Sequence, residues 1–120
     1  MIVGIGTDII QVSRINILLA RYGKVRFMRR IFTREEIEAS LNCLSASFGN
    51  HLAGRFAAKE AVFKSLSSIK RLGWREFSIL SSVAGLKVIL PKMQVANLSV
   101  HVSISHDGDY ALAHAIAFSE

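Results

Sequence analysis

Four side chains of this sequence have types suited to chemistry, and they come from three separate segments: Asp8, Glu60 with Lys64, and His106. Two carboxylates from different segments suit a hard divalent cation such as Mg2+, because this ion prefers oxygen ligands and keeps water and substrate phosphate in its shell. A lysine and a histidine beside them would supply positive charge and hydrogen-bond donors to phosphate oxygens. No Cys or His spacing typical of zinc is present. The pattern therefore indicates phosphoryl chemistry assisted by Mg2+.

Asp8 lies in a segment that is predicted to be a strand. Residues 1–10 alternate, with apolar side chains on one side and Gly4, Gly6 and Asp8 on the other. The two glycines allow another backbone or a ligand to approach closely. Position 9 is Ile where a dinucleotide fingerprint needs a third Gly, and no P-loop sequence occurs. A carboxylate in so apolar a strand is exposed at the strand end, paired, or bound to a cation. The alternative to a functional role for Asp8 is a simple cap at the end of the strand.

Glu60 and Lys64 belong to the longest predicted helix, which runs from about residue 45 to residue 66. One face of this helix carries four of its side chains: Phe56, Glu60, Phe63 and Lys64. Arg55 and Lys59 form a second row beside that face. An ordinary ion pair at i,i+4 is the alternative interpretation of Glu60 and Lys64, although such a pair normally occupies a solvated face.

His106 ends a predicted strand over residues 100–106, just before a hairpin signal at residues 107–109. A neutral core or capping histidine is the alternative to a functional one. The returning strand, over residues 110–118, contains His114, which we interpret as a buried or interface histidine.

The remaining predicted elements are a helix over residues 14–22, a helix over about 34–41, and two strands over 77–80 and 86–90. Ser13 is the expected N-cap of the first helix and Gly23 its stop. Thr33 opens the second helix with a capping box. Helices early and an antiparallel sheet late, joined by the N-terminal strand, predict an α+β fold with a long central helix packed on a small sheet.

The composition predicts one compact domain over residues 1–120. The chain has 120 residues, of which 51% are hydrophobic and 20% charged, so it can bury a core without a disulfide or a structural metal. The lone Cys43 is expected to be a small buried hydrophobe in a reducing compartment. The sequence has no apolar run long enough to cross a membrane, and its apolar start lacks the basic region of a signal peptide. These features predict a cytoplasmic protein.

The formal charge of +6 is concentrated in the first third of the chain. Up to residue 34, Asp8 is the single acid against seven bases: Arg14, Arg21, Lys24, Arg26, Arg29, Arg30 and Arg34. Such a segment suits an acidic protein or a nucleic acid. A small nucleic-acid-binding module is therefore an alternative function, but only Tyr22 and Phe27 interleave the basic residues as rings on which bases could stack.

Three motifs together resemble the holo-acyl-carrier-protein synthase family, the small phosphopantetheinyl transferases of bacterial fatty acid synthesis. They are residues 3–8 (VGIGTD), residues 55–64 (RFAAKEAVFK), and residues 103–106 (SISH) with Tyr110 following. The order and spacing of the motifs agree with the family, and the resemblance covers essentially the whole chain.

The resemblance implies a Mg2+-dependent transfer of 4'-phosphopantetheine from coenzyme A to a serine of an acyl carrier protein, with release of 3',5'-ADP. It implies that Asp8 and Glu60 bind Mg2+ and that four side chains contact the phosphates of coenzyme A: Arg55, Lys59, Lys64 and His106. His106 is alternatively a local proton handler.

The family forms homotrimers with sites between subunits, so the resemblance also implies this assembly. The basic first third then becomes the expected surface for the acidic carrier protein, through Arg14, Leu18, Arg21, Arg26 and Met28. For the arginines of residues 26–30, a solvated basic face is the open alternative. The resemblance implies no nucleic acid partner.

Overall fold

The computed structural model describes residues 1–42, 47–95 and 97–120. Its elements, in chain order, are β1 (Ile2–Gln11), α1 (Val12–Tyr22), α2 (Lys24–Ile31), α3 (Arg34–Leu41), α4 (Phe48–Leu66), β2 (Ser78–Ser82), β3 (Gly85–Ile89), β4 (Leu98–Asp107) and β5 (Tyr110–Ser119). The predicted α+β class is confirmed. The predictions for Cys43 and for the start of the long helix near residue 45 lie outside the described residues.

The strands form two antiparallel sheets. The larger has the order β1-β5-β4, and the smaller pairs β2 with β3. The N-terminal strand β1 pairs with β5 from Ile2 opposite Phe118 to Gln11 opposite Tyr110. The expectation that this strand joins the late hairpin is therefore confirmed, and β5 is the central strand between β1 and β4.

The inner face of the large sheet packs directly on α4. Its side chains on β5 are four buried alanines: Ala111, Ala113, Ala115 and Ala117. On β1, a Cβ atom at Gly4 would lie 1.9 Å from the carbonyl oxygen of Ser65, and one at Gly6 would lie 1.9 Å from that of Ala61. The helix backbone thus rests on the strand backbone, as the glycines of β1 predicted.

The outer face of the same sheet is apolar and exposed. Ile5 is 71% exposed and Ile9 61%, with Ile116 and Phe118 of β5 beside them. Thr7 and His114 contact each other in the middle of this face, with 3.0 Å between Oγ1 and Nδ1. Monomeric proteins rarely leave a large contiguous apolar patch open, so this outer sheet face has the character of an interface. Within one chain His114 is exposed.

The start of α1 differs from the prediction that Ser13 is its N-cap. The N-cap is Gln11, because β1 continues directly into the helix and leaves Ser13 in the first turn. The cap comes instead from Asp109 in the β4–β5 turn, which accepts hydrogen bonds from the Ser13 backbone N–H (3.0 Å) and from its hydroxyl (2.6 Å). Gly23, with φ of 82°, ends α1 as predicted.

Helices α1 to α3 cover the N-terminal half of α4 with a second core cluster, which includes Ile15, Phe27, Met28, Phe32 and Leu52. The basic segment after Gly23 is itself the short helix α2. The predicted capping box of Thr33 and Glu36 begins α3.

We expect Gly6→Ala to destabilise the fold by at least about 2 kcal/mol, because the new methyl group overlaps the backbone of Ala61 and neither element can move without repacking. Urea unfolding followed by circular dichroism measures the change. Gly73→Ala is the matched control, since its Cβ would meet only the flexible end of Glu76 at 3.2 Å. Equal stabilities of the two variants would contradict this account of the β1–α4 contact.

Candidate functional site

The contact between β1 and α4 brings Asp8, Glu60 and Lys64 together. The Lys64 Nζ atom lies 3.5 Å from Oδ1 of Asp8 and donates a hydrogen bond of 3.0 Å to the carbonyl oxygen of Thr7. Glu60 lies one helical turn before Lys64, near enough to Asp8 and Lys64 for both charges to act on its carboxyl. These three side chains are hereafter the carboxylate–lysine site. Three of the four predicted catalytic residues therefore meet within one chain.

The electrostatics of the carboxylate–lysine site leave the two acids under-compensated. Burial raises the pKa of Asp8, against the opposing effects of the Lys64 ammonium and a hydrogen bond from the backbone of Ile9. The pKa of Glu60 is also raised, first by burial and then by the negative charge of Asp8, while Lys64 lowers it. Two partly desolvated carboxylates that repel each other are stabilised by an added cation.

The chemistry of this donor set fits Mg2+. Both possible ligands are carboxylate oxygens, which a hard cation prefers. In the part of the chain that the structure describes, no group of three or more His, Cys, Asp or Glu residues is arranged to hold a metal. Two protein ligands leave coordination positions for water and phosphate oxygens, which is the way Mg2+ usually binds beside a phosphorylated substrate.

An aromatic wall borders the carboxylate–lysine site. Phe56 and Phe63 lie on the same helix face as Glu60, as predicted, and both stack on Trp74, with ring centroids 5.4 and 6.4 Å apart. The sequence reasoning did not include Trp74. The usable signal in the sequence was that Trp74 is the single tryptophan of the chain and follows a helix with two phenylalanines on one face.

His106 lies elsewhere, in a second cluster near the start of α4. Its Nε2 atom is 3.0 Å from the carbonyl oxygen of Asn50, and its ring packs against Gly54, where a Cβ atom would lie 2.9 Å from Cε1. Arg55 donates hydrogen bonds to the carbonyl oxygen of Ile79 (3.2 Å) and the hydroxyl of Ser81 (2.7 Å), both on β2.

His51 joins these two residues and completes what we call the basic cluster: His51, Arg55 and His106. Burial lowers the pKa of His51, and the positive charges of Arg55 and His106 lower it further. An anion bound beside the Arg55 guanidinium would offset the effects that lower the pKa of His51. Sequence reasoning missed His51, although its i,i+4 spacing to Arg55 was a usable signal.

The basic cluster and the carboxylate–lysine site lie at different levels of α4. Arg55 precedes Glu60 by five positions and Lys64 by nine, which correspond to roughly 7 Å and roughly 13 Å along the helix axis. His106 packs at Asn50 and Gly54, still earlier on the helix. One chain therefore carries two separated charged sites on the same helix.

Lys59 does not have the position expected of a phosphate contact. Its side chain is 0% exposed, and its ammonium donates to Oε1 of Glu36 at 2.6 Å and to the carbonyl oxygen of Phe77 at 2.7 Å. Burial lowers the pKa of Lys59, and the Glu36 carboxylate opposes that effect. The prediction was wrong because the side of α4 that carries Lys59 faces α3 and β2 rather than solvent.

The residues of the expected partner surface are accessible except at one position. Arg14, Arg21 and Arg26 are exposed and Leu18 is half-buried. Met28 is 0% exposed and so cannot contact a partner, because its face of α2 packs into the core beneath the helices. Among the residues described, no helix is both long and apolar enough to cross a membrane.

Comparison with known proteins gives consistent results at the level of sequence. A family model described as the 4'-phosphopantetheinyl transferase superfamily matches residues 4–115. A holo-[acyl-carrier-protein] synthase of Chlorobium chlorochromatii is 40% identical over 117 residues, covering 93% of this chain and 97% of that protein. One from a Wolbachia strain of Drosophila simulans is 37% identical, covering 97% of this chain and 98% of that protein.

Solved structures agree with the sequence comparison. The holo-(acyl-carrier-protein) synthase of Bacillus anthracis, in complex with CoA (3',5'-ADP), superposes with a TM-score of 0.82 at 32% identity, covering 100% of this chain and 99% of that one. The enzyme of Neisseria meningitidis also gives 0.82, at 31% identity, with 99% and 100% covered. The family predicted from the three motifs is thereby confirmed, and the chain belongs to the 4'-phosphopantetheinyl transferase superfamily.

Proposed function

We propose that this chain is a holo-acyl-carrier-protein synthase, which transfers 4'-phosphopantetheine from coenzyme A to a serine hydroxyl of an apo acyl carrier protein. The observation that carries the proposal is the carboxylate–lysine site at the β1–α4 contact. The similarity to synthases of that name, one of them bound to coenzyme A, supports it. We further propose that residues 1–120 form a single domain of this activity, and that the protein acts in the cytoplasm, which suits a chain with one cysteine.

Asp8 and Glu60 would hold Mg2+ in this reaction. The support is their oxygen chemistry and the raised pKa of both carboxyls, which a bound cation would relieve. When bound, the ion would neutralise the diphosphate of coenzyme A and polarise the phosphorus under attack.

Lys64 would act on the same diphosphate. Its side chain is 47% exposed and held toward the site by Asp8 and the Thr7 carbonyl. In the transfer, the serine hydroxyl loses its proton to water and its oxygen forms a bond to the phosphorus that carries pantetheine, while the bond from that phosphorus to the ADP oxygen breaks. The fixed ammonium then stabilises the negative charge that develops on 3',5'-ADP.

The basic cluster would bind another phosphate of coenzyme A. Arg55 supplies a positive charge beside the imidazoles of His51 and His106, a bound phosphate would favour the protonated form of His51, and Arg55 is fixed by its hydrogen bonds to β2. Because this cluster and the carboxylate–lysine site of the same chain are separated along α4, we propose that a neighbouring subunit completes each site.

A homotrimer would supply that neighbour. The outer sheet face, with Ile5, Ile9, Ile116 and Phe118 exposed, is an apolar surface on a chain that otherwise buries its core. Covering it with further copies removes this apolar area from water. The Thr7–His114 pair would then lie within the interface, which agrees with the interpretation of His114 as an interface histidine.

The exposed arginines of α1 and α2 would meet the carrier protein. Arg14, Arg21 and Arg26 are exposed, with Leu18 half-buried beside them. Complementary charge speeds the encounter with an acidic partner. The alternative of a nucleic-acid module is not favoured, because Phe27, one of its two candidate stacking rings, is buried.

Mass spectrometry of an apo carrier protein incubated with coenzyme A and Mg2+ tests the function directly, through the gain of one phosphopantetheine. We expect Asp8→Asn and Glu60→Gln each to slow the transfer by about a hundredfold or more, because each removes a charged ligand of the ion. Glu38→Gln, which alters an exposed carboxylate paired with Arg34, should keep the full rate. Full activity of both site variants would contradict the metal assignment.

Binding of Mg2+ should weaken as the pH falls through the raised pKa values of Asp8 and Glu60, at higher pH than for ordinary carboxyls. Lys64 lowers both pKa values, so Lys64→Met should move this loss of binding to still higher pH. Calorimetric titration with Mg2+ from about pH 4.5 to 8 measures the shift. Lys92→Met, at an exposed lysine, is the control, and a move to lower pH in Lys64→Met would refute the assignment.

Sedimentation of the purified protein tests the assembly. We expect a trimer for the unaltered chain and a monomer for Ile116→Glu, because a buried and unpaired carboxylate in the interface is costly. Transfer activity should be lost together with the trimer. Val83→Glu, at a fully exposed position in the β2–β3 turn, should remain trimeric and active. A fully active monomer would exclude sites between subunits.

A further inference from the structure

We propose that the buried ion pair of Lys59 and Glu36 positions a residue that binds the donor substrate: it fixes β2 so that the hydrogen bonds which Arg55 donates to β2 hold Arg55 in its place in the basic cluster. The inference rests on the proposed role of Arg55 in binding a phosphate of coenzyme A. It gives Lys59 a function different from the direct phosphate contact that its motif suggested.

The pair joins three elements through one carboxylate. Oε1 of Glu36 accepts hydrogen bonds from the Lys59 ammonium (2.6 Å) and from the Thr33 backbone N–H (2.8 Å). Oε2 accepts from the backbone N–H of Ile79 at 3.0 Å. Lys59 also donates to the carbonyl oxygen of Phe77 at 2.7 Å. The first turn of α3, the middle of α4 and the beginning of β2 are therefore tied at a single point.

Ile79 connects this point to Arg55. Its N–H is held by Glu36, while its carbonyl oxygen accepts from Arg55 at 3.2 Å. The second nitrogen of the Arg55 guanidinium donates to the Ser81 hydroxyl, two residues further along β2. Arg55 precedes Lys59 by one helical turn, so both side chains reach the same strand from the same side of α4.

The pair is dry and directional. The Lys59 and Glu36 side chains are 0% and 4% exposed, and charged hydrogen bonds of this length fix both distance and angle. An apolar pair can often replace a buried ion pair without loss of stability. Methionine in place of Lys59, however, would leave α4 without its hydrogen bonds to Glu36 and to the carbonyl oxygen of Phe77, and would let β2 shift relative to α4. Stability and donor binding can therefore be separated by experiment.

The double variant Glu36→Gln/Lys59→Met removes both charges together and leaves neither one buried alone. In steady-state assays with saturating carrier protein, we expect the KM for coenzyme A to rise by about tenfold with kcat within about twofold. The same substitutions in an Arg55→Ala background should add less than about twofold to KM, because the group they position is then absent. Arg34→Met/Glu38→Gln, which removes an exposed ion pair and likewise leaves the net charge unchanged, is the matched control and should change neither constant.

Ser81→Ala provides a second measurement that leaves the buried pair intact. It removes one of the bonds that β2 makes to Arg55, and we expect a rise in KM of about threefold that likewise disappears in the Arg55→Ala background. This variant keeps the proposal testable if the double variant does not fold, which thermal unfolding would reveal.

The possible outcomes separate the two proposals. If Arg55→Ala leaves the KM for coenzyme A unchanged, the phosphate role of Arg55 fails and the positioning role fails with it. If Arg55→Ala raises KM while the folded double variant and Ser81→Ala do not, only the positioning role is overturned. A rise in KM that is equally large with and without Arg55 would also overturn it, because the pair would then act through another group.

Discussion

The close approach of α4 to β1 at Gly4 and Gly6 sets both the packing of the core and the positions of the site residues. With 1.9 Å between a hypothetical Cβ and the helix carbonyl oxygens, any side chain there would push the two elements apart. Their contact sets the separation between Asp8 on the strand and Glu60 and Lys64 on the helix. The alanines of β5 continue the same close packing across the sheet. A small-residue sheet face thus serves the core and the site at once.

The sides of helix α4 make different contacts. One side carries small residues to the sheet, and another carries Glu60 and Lys64 together with the two phenylalanines that stack on Trp74. The remaining side sends Arg55 and Lys59 to β2 and α3, where only Lys59 is fully enclosed. This division explains how adjacent residues of one motif, Lys59 and Glu60, have unrelated environments. It also agrees with the proposal that the Lys59–Glu36 pair acts on the basic cluster through β2, without contacting a bound ligand.

The outer sheet face and the two charged sites support the same proposal, which is that several copies of this chain associate. A chain that places exposed Ile5 and Ile116 on one sheet face has apolar area left to bury. The same chain holds the carboxylate–lysine site and the basic cluster at different levels of one helix. The proposed association of copies through the outer sheet face would answer both features, because it would cover the apolar strands and let a neighbouring subunit complete each site.

From the residues alone one can predict the class of fold, most element positions and the pairing of β1 with the late hairpin, and can recognise the likeness of the motifs to a transferase family. Periodicity predicted the elements, because it shows which residues share a face, whereas the family likeness rested on the residues, order and spacing of the three motifs. The contacts that each face makes, in contrast, became known from the folded chain. It placed Lys59 and Met28 in the interior, gave the cap of α1 to the distant Asp109, and brought Trp74 and His51 to the sites. These contacts join residues far apart in the chain, and local patterns carry no information about such partners.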